Sequence, residues 1–289
     1  MKLNNCHLCP NECGADRTRG EGLCHAGAEA RVCRVALHPW EEPIISGTRG
    51  SGTVFFSGCS MACVFCQNSE ISRLSCGRAY SHSELIKAIK RLEDEGAHNI
   101  NFVNPTHYVH ILYEVLRAYK PRVPVVYNTG GYDKVSSLRL LEGLVDIYLP
   151  DLKYLSPELA LRYSGRENYP AVARAAIDEM VRQTGAPVLA DGILQRGTVV
   201  RHLVLPEQSA EGVRVVEYLG KRYGDDIYLS LMSQYTPCGE LDAFPELRRR
   251  VKPLEYKRVV AAARRMGLTR CFVQEEDSSD EAYIPPFEI

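Results

Sequence analysis

Eight residues constrain this chain more than any others: Cys59-Ser60-Met61-Ala62-Cys63-Val64-Phe65-Cys66, a C-x3-C-x2-C run. Three thiolates this close can hold three irons of a cubane [4Fe–4S] cluster, and a tight loop with only three cysteines leaves the fourth iron without a protein ligand, open to chemistry. Just upstream, Thr53-Val54-Phe55-Phe56-Ser57 is a β-branched and aromatic run closed by Gly58. The cysteines are therefore expected on the loop leaving a strand's C-terminal end, where parallel α/β folds keep their active sites. A zinc knuckle or buried free cysteines are the alternatives, but zinc prefers four closed ligands from paired Cys/His knuckles.

A second cluster opens the chain: Cys6, Cys9, Cys13 and Cys24, spaced C-x2-C-x3-C-x10-C among Gly14, Gly20, Gly22 and Gly27. The glycines let the backbone turn so that four sulfurs converge on one ion or cluster. Zinc and a second iron–sulfur cluster are both open, as is a reduced, metal-free arm packed on the body. Eleven cysteines in a chain with a polar start and no apolar run near ~20 residues point to the cytoplasm, where clustered cysteines are metal ligands rather than disulfides. No membrane partner is expected, and a net charge of −1 lends no support to a nucleic-acid partner. Cys33, Cys76, Cys238 and Cys271 have no obvious partners and read as packing; Cys238, on a strand-end loop, is the one that could face the site.

From residue 81 onward the pattern alternates helix and strand. Ser81-His82-Ser83-Glu84 has capping-box form, and Leu85, Ile86, Ile89 and Leu92 follow at helical spacing. Helices are expected over residues 108–119, 135–141, 157–163, 170–183 and 253–266, with strands at 99–103, 123–127, 145–149, 199–206, 226–232 and 271–273. Such alternation implies parallel, right-handed βαβ units closing toward an incomplete barrel of six or seven strands. Before the core, Trp40-Glu41-Glu42-Pro43 reads as extended chain, with Trp40 packed on the body and the two glutamates exposed.

The run Cys59, Cys63, Phe65, Cys66 resembles the C-x3-C-x-aromatic-C signature of the radical S-adenosylmethionine (radical SAM) superfamily. The resemblance implies that the open iron chelates S-adenosylmethionine, that one electron cleaves its sulfonium C–S bond, and that the 5′-deoxyadenosyl radical takes hydrogen from a substrate. The implied fold class is α/β, a partial (β/α)6 TIM-like barrel of the radical SAM type with a cysteine-rich N-terminal extension: an arm at residues 1–48 and the core at 49–289. Where the superfamily commonly has a Gly-Gly-Glu type motif, this chain has Asn104-Pro105-Thr106, whose Asn104 and Thr106 can accept from an ammonium; Thr106 could instead cap the next helix. Asn128 and Thr129 precede Gly130-Gly131, which allow close backbone approach or make an ordinary turn. Strand alternation puts Asp151 and Lys153 on one side of the chain, where they can form a buried salt bridge, and they resemble the Asp-x-Lys of glycyl-radical-enzyme activases. Arg201 resembles the arginine those enzymes aim at the cosubstrate carboxylate, His202 points the other way, and Gln234-Tyr235 could contact adenine or substrate, with Tyr235 equally a core residue. With Cys6 to Cys24, Trp40 to Pro43, Cys66 to Ser72, Pro105 to Tyr108, Tyr148 to Tyr154 and Arg201 to Pro206, the resemblance narrows to the pyruvate formate-lyase activating enzyme-like proteins of the uncharacterised X type.

That resemblance implies an oxidoreductase served by an electron donor such as flavodoxin or ferredoxin, acting on a glycyl radical enzyme. Radical modification of a small molecule or peptide, and a non-catalytic iron–sulfur scaffold, are the competing functions. No catalytic side chain is assigned by the sequence.

Overall fold

The computed structural model describes residues 2–73 and 76–274. After an arm of turns, the elements run β1 (Ala30–His38), α1 (Pro43–Ser46), β2 (Ser51–Phe56), α2 (Ser69–Ser72), β3 (Arg78–Tyr80), α3 (His82–Asp94), β4 (Ile100–Val103), α4 (Val109–Ala118) and β5 (Val125–Thr129). They continue through α5 (Val135–Leu140), β6 (Ile147–Pro150), α6 (Pro157–Ser164), α7 (Tyr169–Thr184), β7 (Val188–Ala190), β8 (Ile193–Leu203), α8 (Ser209–Tyr223), β9 (Tyr228–Met232), α9 (Pro253–Arg265) and β10 (Cys271–Val273).

Seven strands, β2, β4, β5, β6, β8, β9 and β10, pair in parallel. The sheet order β10-β9-β8-β6-β5-β4-β2-β1-β3 is an open path, so the expected incomplete barrel holds. β1 joins it antiparallel to β2, and β3 antiparallel to β1. The helices earn their places locally: α3 begins at the Ser81–Glu84 capping box, and α6 at Ser156 with Pro157 in its first turn and Gly165 past its end. Their apolar faces make two main cores. Leu85, Ile89, Leu112 and Val115 pack on Val54, Phe56 and Phe102, while Tyr163, Ile177, Val215, Leu219 and Val259 pack on Val200 and Leu229. Among the described residues no helix is long and apolar enough to cross a membrane.

Three local expectations fail. The segment after β1 contains a one-turn helix, α1, because Pro43 at its first turn has no N–H to leave unpaired. Trp40 is 58% exposed rather than packed. The glutamates are not exposed: the Glu41 side chain is 10% accessible, paired with Arg201, and Glu42 is 8%. Helix α8 has no counterpart in the sequence reading, since Gly212 and Gly220 interrupt its apolar pattern. Gly212 lies where α8 crosses α9, and a Cβ there would stand 2.8 Å from Val259 and 3.1 Å from His202.

Gly131 joins fold to site. Its φ of +82° is left-handed, and a Cβ would lie 2.2 Å from the Asp151 carbonyl oxygen, so the turn after β5 can close on the end of β6 only with glycine. Gly131→Ala should lower the unfolding free energy by about 2 kcal/mol or more. A urea midpoint equal to that of the parent protein would show that this contact does not constrain the fold.

Candidate active site

The parallel strands deliver their C-terminal ends to one cavity of ≈ 250 Å³. Cys59, Cys63, Phe65 and Cys66 follow β2, Asn104 follows β4, Asn128 and Thr129 end β5, Asp151 and Lys153 follow β6, Arg201 lies in β8 and Gln234 follows β9, and all of them line it. Of the candidate cofactor and metal ligands named in the core, Thr106 alone does not. Its hydroxyl donates to Asp133 at 2.7 Å, alongside Thr129 at 2.6 Å and Tyr127 at 2.8 Å, and it caps no helix. Asp133 was not legible as a node, although burial raises its carboxyl above the usual range despite three donors.

The cysteine loop has no regular structure between β2 and α2, so backbone bonds to other segments fix it. Gly58 N–H donates to Ile71 at 2.8 Å, Cys59 N–H to Cys24 at 3.0 Å and Val64 N–H to Tyr163 at 2.9 Å. Asn104, at φ +56°, donates its side-chain amide to Gly58 at 2.7 Å; asparagine tolerates that left-handed backbone. Phe65 packs edge-on against Tyr163 and Tyr235. Tyr235 is core, its hydroxyl donating to Leu247.

Burial pushes the Cys59 thiol up to about 12 and raises Cys63 as well. Thiolates here need a cation, which a metal supplies. Three sulfurs on one cavity wall with polar groups opposite fit a cluster held by three cysteines with one open corner.

The opposite wall is a buried ionic network. Arg201 donates to Asp151 at 2.8 Å, to Asn128 at 2.7 Å and to Glu41 at 3.3 Å, while Asn101 and Asn128 both donate to Glu41. Lys153 donates to the other Asp151 oxygen at 2.5 Å. Burial alone would raise the Asp151 carboxyl, but Arg201 and Lys153 outweigh it and hold it below the usual carboxylate range. Glu41, more weakly paired, is raised by burial. Every guanidinium nitrogen of Arg201 therefore has a protein acceptor, so reaching a ligand carboxylate requires giving one up. His202 faces away, its Nδ1 2.8 Å from the Leu152 carbonyl. Glu41, Gln67, Asn68, Met61 and Met232 complete the surroundings. The last four line the cavity, and nothing in their own spacing marked them.

The arm packs directly on this site. Cys6, Cys9 and Cys24 are buried and Cys13 is half-buried; Gly22 sits 3.5 Å, measured from an added Cβ, from both the Cys13 and the Cys24 sulfur. Among the described residues no group of three or more His, Cys, Asp or Glu is set for a single metal ion, so neither cysteine set is a preformed mononuclear site. Two cysteines read as unpartnered meet each other: Cys33 and Cys76 have their sulfurs 3.0 Å apart. Cys238 is close enough to Cys66 for charge on one to raise the other, after burial, but it does not line the cavity.

Fold and site together define an open parallel α/β barrel with a three-cysteine loop at the C-terminal end of its first parallel strand. The model of the Radical SAM superfamily matches residues 53–219, more than half of the chain, and the chain belongs to that superfamily. That superfamily is one of enzymes that use S-adenosylmethionine and a [4Fe–4S] cluster. The uncharacterized protein MJ0674 of Methanocaldococcus jannaschii is 28% identical over 276 residues, covering 92% of this chain and 76% of that protein. SuiB of Streptococcus suis is similar in structure, with a TM-score of 0.51 at 13% identity over 76% of this chain and 47% of SuiB. SuiB bound to S-adenosylmethionine gives 0.48 at 11%, over 75% and 48%. The chain thus spans about half the length of the solved structures it matches, and this likeness concerns fold alone.

Two measurements follow from the geometry. Arg201→Met leaves the buried Glu41 without its cation and Asp151 with Lys153 as its remaining cation, and should cost about 3–5 kcal/mol in unfolding free energy; a loss under about 1 kcal/mol would mean the network does not hold the wall. His107, which supports Ser57 through a 2.7 Å contact to its carbonyl, is fully buried, and burial pushes its pKa down to about 3. The unfolded chain therefore binds a proton that the folded one refuses between pH 6.5 and 3, and stability falls as pH falls through that window. The stability of the parent relative to His107→Gln should drop by about 2 kcal/mol from pH 7 to pH 5. Parallel pH profiles for the two proteins would refute the assignment.

Proposed function

We propose that this protein is a radical SAM oxidoreductase that binds S-adenosylmethionine between the Cys59-Cys63-Cys66 loop and the Asp151–Lys153–Arg201 wall and abstracts hydrogen from a substrate presented at the cavity mouth. The observation that carries the reading is the meeting of the three cysteines and that charged wall in one cavity. When bound, the cluster supplies the electron that splits the sulfonium C–S bond into methionine and a 5′-deoxyadenosyl radical. The chain's own groups bind and exclude. Asp151 presents a carboxylate suited to an ammonium or sulfonium, Lys153 lies beside it, and Met61, Phe65, Val103, Leu203 and Met232 keep water from the cavity.

The substrate reading we favour is a glycine of a glycyl radical enzyme. Asp151 and Lys153, the pair that resembles activases, line the cavity. Flavodoxin or ferredoxin is the electron donor in this reading, and the cytoplasm its compartment, where thiols stay reduced. Cys6, Cys9, Cys13 and Cys24 hold zinc or a second iron–sulfur cluster.

Protein reconstituted with iron and sulfide without oxygen should form 5′-deoxyadenosine from S-adenosylmethionine and dithionite, and Cys63→Ala should abolish it. No 5′-deoxyadenosine from protein with a full iron complement would favour the scaffold reading. A glycyl radical signal on an added glycyl radical enzyme would support the activase reading, and turnover of a small molecule or free peptide would replace it.

A further inference from the structure

The arm's cysteines and the cluster loop share a residue-to-residue contact. The carbonyl of Cys24 accepts the N–H of Cys59 at 3.0 Å, and Gly58 passes so close that an added Cβ would lie 2.3 Å from that same carbonyl oxygen. Asn11, between Cys9 and Cys13, donates its side-chain amide to the Ser60 carbonyl at 2.8 Å. Two segments of the cysteine arm thus grip the loop on either side of the Cys59–Ser60 peptide, next to the first cluster ligand.

The arm holding these contacts has little of its own to keep it in shape. Residues 2–29 contain no helix or strand. Turn bonds such as Cys6 N–H to Ala15 and Gly14 N–H to Cys6 shape it, together with Arg17, only 2% exposed, whose guanidinium donates to the carbonyls of Ala26, Gly27 and His107 and lies 3.8 Å from the Cys6 sulfur. Short segments with so small an apolar core need a covalent or metal staple, and four thiols gathered in one arm are suited to bind as thiolates, releasing their protons to solvent.

We infer that the arm is a metal-dependent clamp on the catalytic loop: a thiolate-bound centre at Cys6, Cys9, Cys13 and Cys24 fixes Cys24, whose carbonyl holds Cys59 in place for its own cluster. The inference rests on the reading of those four cysteines as a metal site, and goes beyond it by coupling the two centres. Zinc and an iron–sulfur cluster would serve equally, since what matters is that the Cys24 sulfur is tethered while its carbonyl faces the loop.

The two readings are tested separately. A Cys59→Ala/Cys63→Ala/Cys66→Ala protein, which cannot hold the catalytic cluster, is reconstituted with iron and sulfide or with zinc alone, and metal per chain is measured. Retention of about one zinc or about four irons, lost on adding Cys9→Ser and Cys13→Ser, supports an arm centre and tells which kind it is. No retained metal overturns that centre and the clamp with it. In the chain with its loop cysteines intact, Cys9→Ser/Cys13→Ser should lose the catalytic cluster to a chelator about tenfold faster, the equivalent of one buried hydrogen bond, followed by the cluster's visible absorbance and electron paramagnetic resonance. Asn11→Ala keeps every cysteine and should give a several-fold acceleration even if the double variant folds poorly. An arm that retains its metal while both variants lose the catalytic cluster at the parent rate would overturn the clamp and leave the arm centre standing.

Discussion

The wall of the cavity depends on one guanidinium. Arg201 reaches from β8 to Asp151 after β6, to Asn128 in β5 and to Glu41 in the segment after β1, so one side chain ties the segment after β1 to the ends of two neighbouring strands already joined by the Asp151 N–H to Thr129 carbonyl bond. Burying these charges costs several kcal/mol per ion, and the cost is met only because each guanidinium nitrogen has an acceptor and Asp151 takes a second cation from Lys153. The network is thus specific in geometry without being a large source of net stability. It explains why Glu41 is buried at all: it is the third acceptor of a group that cannot be left unsatisfied.

The other wall is held differently. Between β2 and α2 the chain has no ladder and no helix, and burial raises the Cys59 and Cys63 thiols, so these two favour the neutral form until a cation arrives. Its shape is held by single hydrogen bonds that it donates to the Ile71, Cys24 and Tyr163 carbonyls and one that it accepts from Asn104, from four different parts of the fold. A rigid ionic wall therefore faces a loop whose geometry is borrowed from its neighbours.

What the sequence disclosed follows the same division. The βα alternation and the strand-end polar residues were legible because period and position within a strand are local properties. Asn104, Asn128, Asp151, Lys153 and Arg201 could be placed together simply by assuming parallel strands. Glu41 was misread because its partner lies 160 residues away, and nothing in Trp40-Glu41-Glu42-Pro43 itself records that an arginine will face it. Thr106 was read as a ligand group because the pull of Asp133, a residue that looks like any turn aspartate, is tertiary. Helix α8 was hidden by Gly212, which reads as a breaker in sequence but exists for the close crossing with α9. The pairing of Cys33 with Cys76 likewise required knowing that β1 turns back beside the segment that follows α2.

The occupied state of Arg201 bears on how a ligand enters. A fork whose nitrogens are already shared among Asp151, Asn128 and Glu41 does not present a free anion site. A zwitterion with a sulfonium would instead meet the Asp151 carboxylate, which Arg201 and Lys153 keep ionised, and could take the guanidinium only in exchange for Glu41. Glu41 is the weakest of the three contacts at 3.3 Å, and burial already favours its neutral form, so it is the acceptor that yields at least cost. The segment after β1 would then report cosubstrate binding to the edge of the sheet, through the very residue whose burial the local sequence did not foretell.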